Sequence, residues 1–574
     1  MRHWVEPMTR YRQPKLMEAA RTMPTWTVDL DGTHGEVFTR RWVVDLILDL
    51  AGYRACADLG ASVIVEPACG AGAFLVPIVE RLVESCDQHG RSVADMGPAI
   101  RAFDLLGRNV DTARGSVATR LVELGQPADV ARNLSSQWVV QEDFLLGAGL
   151  DRSRQADFVV GNPPYVRLED VPTEVSEAYR SECATMRGRA DLYVGFFEKG
   201  LSMLGPEGRL AFICADRWMH NQYGERLRAL VASEYAVDTV MMMHTVDAFE
   251  DTVSAYPAIT VLRNGSQGPA RIVEAADGFD ATDARTVAQW HVDSHELAPS
   301  GARFDAGTLQ GWFAGSGHWP AGSPGTLELI ADLEERFDPL EDWRTGTRVG
   351  IGVATGCDDV FVVEGAHGVE PCRLLPMLTA HDISPGTPHW GGRFLVNPWE
   401  DGRLVDLDAY PGLASYMRRH GTRIKQRHVA RRRPASWYRT IDRVDPELQA
   451  RPKLLLPDLK SAAHPVLDTG GFYPHHNLYY VVSDKWDLEV LGGLLLSDIA
   501  NMFVGAYCVK MRGGTYRFQA QYLRKIRVPA PDAIDAATAA ALADAFRCRD
   551  RAAATVRAAE LYGISRTELL AAVA

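Results

Sequence analysis

Short apolar runs alternate with longer amphipathic segments along the first half of the chain. Each apolar run is rich in β-branched side chains and ends at a turn or a polar residue, as buried strands do. The segments between them place apolar residues at helical spacing, as Val43, Leu46 and Ile47 show. Alternating strands and helices form a mostly parallel sheet with helices on both faces. The pattern predicts an α/β fold whose strands cover residues 62–66, 100–104, 138–140, 158–161 and 209–214.

The pattern changes in the second half. Residues 265–335 are rich in Gly, Ser, Asp and Ala, and the regular pattern returns near Val349 as short strands and turns. An apolar helix is predicted over residues 488–504, and the last segment is rich in Ala. We therefore predict an N-terminal arm, a first domain, a connecting segment, a second domain of α+β class and C-terminal helices, with the boundaries 1–30, 31–270, 271–340, 341–530 and 531–574.

Composition limits the class of protein. The chain has 574 residues, 46% hydrophobic and 24% charged, which is ordinary for a globular protein of two or more domains. No apolar run approaches the roughly 20 residues of a membrane helix, and residues 1–11 lack the apolar region of a signal peptide. The nine cysteines are scattered, with no Cys-x-x-Cys pair. This usage favours reduced thiols in the cytoplasm and argues against a structural zinc site. We expect a cytoplasmic protein with neither a metal nor a membrane partner.

The string Asn162-Pro163-Pro164-Tyr165 carries the clearest chemical signal. It follows the apolar run 158–161, and two prolines prevent that strand from continuing. Turns at the carboxyl ends of parallel strands are where open α/β sheets bind ligands. The Asn162 side-chain carbonyl and the Pro163 backbone carbonyl offer two acceptors to one amino group, and Tyr165 adds a flat face. This set suits an exocyclic amine on an aromatic ring.

A second predicted site begins at the turn after the first strand, residues 67–74, where small residues let a ligand approach the backbone. The Gly-x-x-Gly ending of a dinucleotide fingerprint is absent, so NAD and FAD are poorly supported. Asp104 ends the second predicted strand, where a carboxylate can accept both hydroxyls of a ribose. Asp143 follows the third strand and could accept from an adenine amino group, while Phe144 could cover the ring.

Residues 34–262 resemble the catalytic domain of the gamma class of DNA adenine-N6 methyltransferases, the modification enzymes of restriction systems. The order of parts carries the resemblance: Phe38-Thr39, Glu-Pro-Ala-Cys-Gly-x-Gly-x-Phe from Glu66, the acids Asp104 and Asp143, Asn-Pro-Pro-Tyr, Leu-Tyr-x-x-Phe-x-Glu-Lys from Leu192, and a hairpin with an exposed Phe249. One departure is Arg40, where the family usually has proline. The resemblance implies a Rossmann-like methyltransferase sheet with S-adenosylmethionine as cofactor.

The resemblance also implies roles for individual residues. The cofactor site would be lined by Thr39, Glu66, Ala68, Gly70, Asp104, Asp143, Phe144, Pro164 and Phe196. The target adenine, flipped out of the duplex, would be held by Asn162, Pro163, Tyr165 and Phe249. From the residues themselves we further expect Thr39 to cap the helix that follows it.

The second domain resembles the target-recognition domain of the same enzymes, beginning with residues 350–363. Between Tyr416 and Arg439 the chain has nine Arg or Lys and no Asp or Glu, although its net charge is −13. Such a concentration of positive charge favours a phosphate-contacting surface. The predicted DNA-binding residues are Arg418, Arg419, Arg423, Lys425, Arg427, Arg431, Arg432, Arg433, Trp437, Arg512 and Arg517.

The sequence thus predicts a site-specific adenine DNA methyltransferase of the EC 2.1.1.72 type that acts on double-stranded DNA. It would be the modification part of a restriction-modification or phage-defence system, with a separate restriction endonuclease or defence-system proteins as partners. Two alternatives stay open. One is an RNA or protein-glutamine methyltransferase, which shares the tetrapeptide but leaves the second domain unexplained. The other is a catalytically silent DNA-binding subunit.

Overall fold

The structure is a computed structural model that describes residues 37–147, 155–250, 256–292, 298–508 and 515–573. The predicted N-terminal arm, residues 1–30, and the predicted DNA-binding residue Arg512 lie outside the described residues.

A ten-stranded sheet forms the core of the first half, in the spatial order β3-β2-β1-β4-β5-β7-β6-β8-β10-β9. Neighbours from β3 to β5 are parallel, whereas β7 is antiparallel to both of its neighbours. The strands are β1 Ile64–Glu66, β2 Ile100–Asp104, β3 Val139–Gln141, β4 Ala156–Gly161, β5 Leu204–Ala215, β6 Ala236–Met242, β7 Pro257–Arg263, β8 Ala270–Ala275, β9 Ser300–Gly301 and β10 Phe304–Leu309.

Helices cover both faces of this sheet, as the strand pattern predicts. Val159 and Val160 are both fully buried but belong to separate apolar clusters, because successive side chains of a strand point to opposite faces. The helices are α1 Arg41–Ala51, α2 Leu75–His89, α3 Gly107–Glu123, α4 Ala128–Trp138, α5 Thr173–Glu182, α6 Tyr193–Met203, α7 Arg217–His220, α8 Glu225–Glu234 and α9 Ala281–Val292. The α/β fold class is confirmed.

Two features of this half differ from what the sequence pattern suggests. Strands β8 and β10 continue the sheet beyond β6, so part of the predicted connecting segment 271–340 forms strands of this sheet. Helix α1 has Arg40 as its N-cap and no side-chain cap, so Thr39 does not cap it. Thr39 instead forms an isolated antiparallel bridge with Phe249, and Phe249 is buried.

The second half is built from small sheets and short helices around separate apolar clusters. Its strands are β11 Asp338–Pro339, β12 Arg348–Ile351, β13 Val362–Glu364, β14 Leu374–Leu378, β15 Arg393–Val396, β16 Trp399–Glu400, β17 Arg403–Leu404, β18 Lys453–Pro457, β19 Leu459–Lys460, β20 Val466–Asp468, β21 Tyr473–Pro474, β22 Leu478–Val482, β23 Tyr516–Arg517 and β24 Arg527–Val528. Its helices are α10 Pro324–Arg336, α11 Asp358–Phe361, α12 Pro411–Arg419, α13 Gly421–Lys425, α14 His428–Arg432, α15 Glu447–Ala450, α16 Leu488–Leu496, α17 Asp498–Tyr507, α18 Ala520–Leu523, α19 Ala536–Arg547, α20 Arg551–Tyr562 and α21 Arg566–Val573.

The apolar segment predicted as one helix over residues 488–504 forms two. Ser497 separates α16 from α17, and its hydroxyl accepts a hydrogen bond from the Ala500 amide, which caps the second helix. In the part of the chain that the structure describes, no single helix is long and apolar enough to cross a membrane. The pair α16 and α17 reaches that length and composition only together, with a bend of 63°.

Candidate active site

A cavity of about 220 Å³ opens at the carboxyl ends of strands β1 to β4. Strand order reverses between β1 and β4, and such a reversal leaves a crevice at the sheet edge. The structure brings to this one cavity every residue predicted to line the cofactor site: Thr39, Glu66, Ala68, Gly70, Asp104, Asp143, Phe144, Pro164 and Phe196. Asn162 lines the same cavity.

Asp104 joins the ends of the first two strands. Its Oδ2 accepts a hydrogen bond of 2.9 Å from the Gly70 amide, and its Oδ1 accepts from the Leu106 amide and from Asn109 Nδ2. Gly70 has φ of +51°, in the left-handed region that favours glycine. The carboxylate therefore holds the glycine turn against β2 and sits at the cavity wall.

An aromatic wall faces this carboxylate. Phe144 stacks on Phe196 with ring centroids 5.3 Å apart and planes at 25°. Asp143 is held in place because its Oδ1 accepts from the Leu145 amide and its Oδ2 accepts from the Tyr179 hydroxyl at 2.8 Å. Sequence reasoning missed Tyr179, as well as Asn109, since neither belongs to a motif.

Glu66 is a buried carboxyl group of the site. It is 1% exposed, and its Oε2 is buried with no hydrogen-bond partner among the described residues. Burial, and then the negative charge of Asp104, raise the pKa of Glu66 well above its usual value. A positively charged ligand in the cavity would stabilise the ionised carboxylate, so the cavity is suited to a cation.

The Asn162 side chain has a defined orientation. Its Nδ2 donates to the Val37 carbonyl at 3.1 Å and to Thr39 Oγ1 at 3.2 Å. A backbone carbonyl only accepts hydrogen bonds, so this contact identifies which end of the amide is nitrogen. The Oδ1 atom is buried and has no partner among the described residues. Asn162 therefore presents an unused acceptor.

Tyr165 and Phe249 meet at right angles. Their ring centroids are 6.5 Å apart, with an angle of 80° between the planes. The Tyr165 hydroxyl donates to the Ile213 carbonyl at 3.2 Å, which fixes its ring. Phe249, expected to be exposed, is 5% exposed. Because the two rings are perpendicular, they cannot both stack face to face on the same planar group.

Sequence reasoning also missed Asp216, which holds the segment from His244 to Tyr256 that carries Phe249. His244 Nε2 lies 2.7 Å from Asp216 Oδ2, and the Asp216 amide donates to the Tyr256 carbonyl. Burial tends to raise the pKa of Asp216, but the imidazoles of His244 and His220 lower it below its usual value. Both ends of the segment are therefore tied to Asp216, one through its buried carboxylate and the other through its backbone amide. Residues 251–255, between these ends, lie outside the described residues.

The basic segment, defined here as residues 418–439, divides into structural and exposed cations. The Arg427 guanidinium donates to the carbonyls of Thr355, Trp437 and Arg439, so it fixes the local fold. Lys425 lies 4.8 Å from the Trp437 ring centroid. Arg431, Arg432 and Arg433 are exposed and form no ion pair within the described ranges.

The remaining predicted DNA-binding side chains differ in their partners. Arg418 and Arg423 face Asp408 and Asp359, whereas Arg419 is exposed. Arg517, outside the basic segment, pairs with Asp458 at 2.5 Å.

Comparison with known proteins agrees with this geometry. A family model described as Eco57I restriction-modification methylase matches residues 122–249. The chain is 42% identical to the Type II methyltransferase M.XhoI of Xanthomonas vasicola, over 93% of this chain and 98% of that protein. It is 43% identical to the Type II methyltransferase M.PaeR7I of Pseudomonas aeruginosa, over 93% of this chain and 92% of that protein.

A solved structure shares the fold over nearly the whole chain. The Type IIL restriction-modification enzyme MmeI, solved in complex with DNA, is similar with a TM-score of 0.52 at 13% identity, covering 93% of this chain and 72% of that one. At this identity the likeness concerns fold alone, whereas the relatives above share sequence over nearly their full length. The chain belongs to the Type II methyltransferases of restriction-modification systems, which use S-adenosylmethionine as methyl donor.

Proposed function

We propose that the chain methylates N6 of an adenine that has been flipped out of double-stranded DNA at a specific sequence. The observation that carries this proposal is the buried, unpartnered Oδ1 of Asn162 at the edge of the cofactor cavity. A buried acceptor without a partner is costly, and a ligand N–H would satisfy it.

An exocyclic amine matches the acceptors on the turn that follows β4. One N6–H would donate to Asn162 Oδ1 and the other to the Pro163 backbone carbonyl, the neighbouring acceptor in the same rigid turn. Adenine N6 is a weak nucleophile because its lone pair is delocalised into the ring. Two acceptors would hold the amine in place and favour a more tetrahedral nitrogen, so catalysis would come from positioning and electrostatics.

The residues of the cavity fit S-adenosylmethionine. Asp104 would accept from the ribose hydroxyls, Asp143 from the adenine amino group, and the stacked pair Phe144 and Phe196 would cover the adenine ring. Glu66 would provide the negative charge for a ligand that carries both an ammonium and a sulfonium. When bound, the cofactor supplies an electrophilic methyl group on a positively charged sulfur.

The target base would use the perpendicular aromatic pair. Tyr165, which follows the acceptor turn, would stack on the face of the base, and Phe249 would touch its edge. An adenine inside a duplex cannot reach the turn after β4, so it must be flipped out of the helix. Aromatic stacking, worth roughly 1–3 kcal/mol per base, would offset part of the cost of unstacking.

The second half of the chain would recognise DNA. We assign residues up to 309 to catalysis and about 340–530 to target recognition, with helices α19 to α21 packed against the recognition part. Exposed cations of the basic segment would contact phosphates. A separate restriction endonuclease that cuts the same unmodified sequence would be the partner in the host system.

The test offers tritiated S-adenosylmethionine to duplex DNA, RNA and protein in parallel. Label should enter DNA, and enzymatic digestion of the product should release N6-methyl-2′-deoxyadenosine as the labelled nucleoside. Single-molecule sequencing of DNA from an expressing host should then place every modified adenine within one short sequence. Labelled N4-methylcytosine, or preferential labelling of RNA or protein, would overturn the proposal.

A further inference from the structure

We propose a divalent transition-metal site in the second domain, formed by Asp358, His475 and His476. One ligand atom from each of these residues lies within 4.8 Å of the other two. Imidazole nitrogen and carboxylate oxygen are the donors that Zn²⁺ takes in three-residue sites whose fourth position is open. Asp358 and His475 are 117 residues apart, so no spacing motif in the sequence indicates this site.

One of the three distances between donor atoms is already near that around a bound ion, and the other two are within 4.8 Å. Donor atoms at about 2.0–2.2 Å from one Zn²⁺ lie roughly 3.3–3.6 Å from each other in a tetrahedron. Asp358 Oδ2 and His475 Nε2 are 3.0 Å apart. An ion would replace the hydrogen bond between them, and His476 would move closer to complete the site.

The turn that carries the two histidines is held by its backbone. The His475 amide donates to the Leu378 carbonyl, and the His476 amide donates to the Val353 carbonyl. The Thr355 hydroxyl donates to Asp358 Oδ1, the type of outer contact that orients a metal-binding carboxylate. Asp358 and His475 are therefore in place before an ion arrives, whereas the His476 side chain would move toward them.

Carboxylates and imidazoles meet at this site. Burial and the neighbouring His475 lower the pKa of His476, while the negative charges of Asp358, Asp442 and Asp458 act in the opposite direction. His475 is 8% exposed, and its Nδ1 is buried with no partner among the described residues. His476 is exposed and Asp358 is half-buried, so the fourth position would face solvent and hold water.

The ion would link the segment of Asp358 to the turn of His475 and His476, next to the basic segment. Arg427 of that segment donates to the carbonyl of Thr355, which also orients Asp358. Metal binding would therefore stiffen the base of the proposed phosphate-contacting surface without supplying a catalytic group. This inference concerns metal binding and does not depend on the base that is methylated.

The experiment uses the full-length, untagged protein after treatment with a chelator. Calorimetric titration with Zn²⁺ should show one tight equivalent, and Co²⁺ should give the visible absorption of a tetrahedral complex. His476→Gln, at an exposed position, should weaken Zn²⁺ binding at least 100-fold with an unchanged unfolding temperature in the absence of metal. His475→Gln should weaken Zn²⁺ binding to the same extent. Because His475 is buried, this variant should also have a lower unfolding temperature.

His428→Gln is the matched control, since His428 is an exposed histidine in the basic segment. It should bind Zn²⁺ as the wild type does. The proposal is overturned if the wild type takes up no stoichiometric metal, or if His476→Gln and the wild type bind equally, which would place the ion on cysteines or surface histidines instead.

Discussion

Asn162 donates its side-chain amide to the hydroxyl of Thr39 at 3.2 Å, and this contact joins the two halves of the site. Thr39 lines the cofactor cavity and also forms an antiparallel backbone bridge with Phe249. Because the amide nitrogen is used in this way, the carbonyl oxygen of Asn162 is the atom left for substrate. The Thr39 hydroxyl thus orients Asn162 Oδ1, the acceptor on which the proposed chemistry depends.

Replacing Asn162 by Ala should lower the rate of methyl transfer about 10²–10³-fold, the usual cost of losing one positioned hydrogen-bonding group. Single-turnover kinetics would measure the rate, and DNA affinity should stay within a few-fold of the wild type. Asn133→Ala, at an exposed position of α4, is the control and should transfer normally. Wild-type turnover by the Asn162 variant would rule out the acceptor role.

Replacing Tyr165 by Ala should weaken binding of a flipped base by roughly 1–3 kcal/mol and leave cofactor affinity nearly unchanged. Fluorescence of 2-aminopurine at the target position would report the flipped base, and calorimetry would report cofactor binding. Tyr165→Phe keeps the ring and loses only the hydrogen bond to Ile213, so it should retain most of the flipping signal. A larger loss of cofactor than of base binding in the Ala variant would contradict the stacking role.

Proton release should accompany cofactor binding. In the free protein the pKa of Glu66 is raised well above 4.5 by burial and by Asp104, so Glu66 holds a proton where an unfolded glutamate has lost it. The stabilising contribution of this group is present below pH 4.5 and is lost as pH rises through the raised pKa. A cationic cofactor favours the carboxylate, so its affinity should increase with pH over the same range.

Calorimetry in buffers of different ionisation enthalpy would count the released protons. The wild type should release up to about one proton on binding S-adenosylmethionine. Glu66→Gln should release fewer and bind the cofactor more weakly. Equal proton counts in the two proteins would assign the release to another group.

The basic segment should contain two kinds of arginine. Arg432→Gln and Arg433→Gln should each weaken DNA binding at all sequences and reduce the slope of log K against log salt by about 0.9. Arg427→Gln should instead lower the unfolding temperature, because four backbone carbonyls lose a donor. If the Arg427 variant changed the slope of log K against log salt and the Arg432 and Arg433 variants did not, Arg427 would be the phosphate contact instead.

Local pattern in the sequence determined much of the first domain. Strand β2 has the bounds 100–104 that its apolar run predicts, and every residue predicted for the cofactor site lines one cavity. Strand periodicity and proline or glycine turns act over a few residues, so the sequence alone reveals them. Parallel strands then bring their carboxyl ends to a common edge.

Only the tertiary structure decided the features that depend on contacts between segments far apart in the chain. The burial of Phe249, the three added strands up to residue 309 and the use of Arg427 as a structural cation all result from packing between segments far apart in the chain. Asn162 and Val37 are 125 residues apart, yet their contact determines which amide atom faces the substrate. A sequence pattern identifies an asparagine beside a proline turn, but only the packed neighbours of that asparagine decide which hydrogen bond remains unmade.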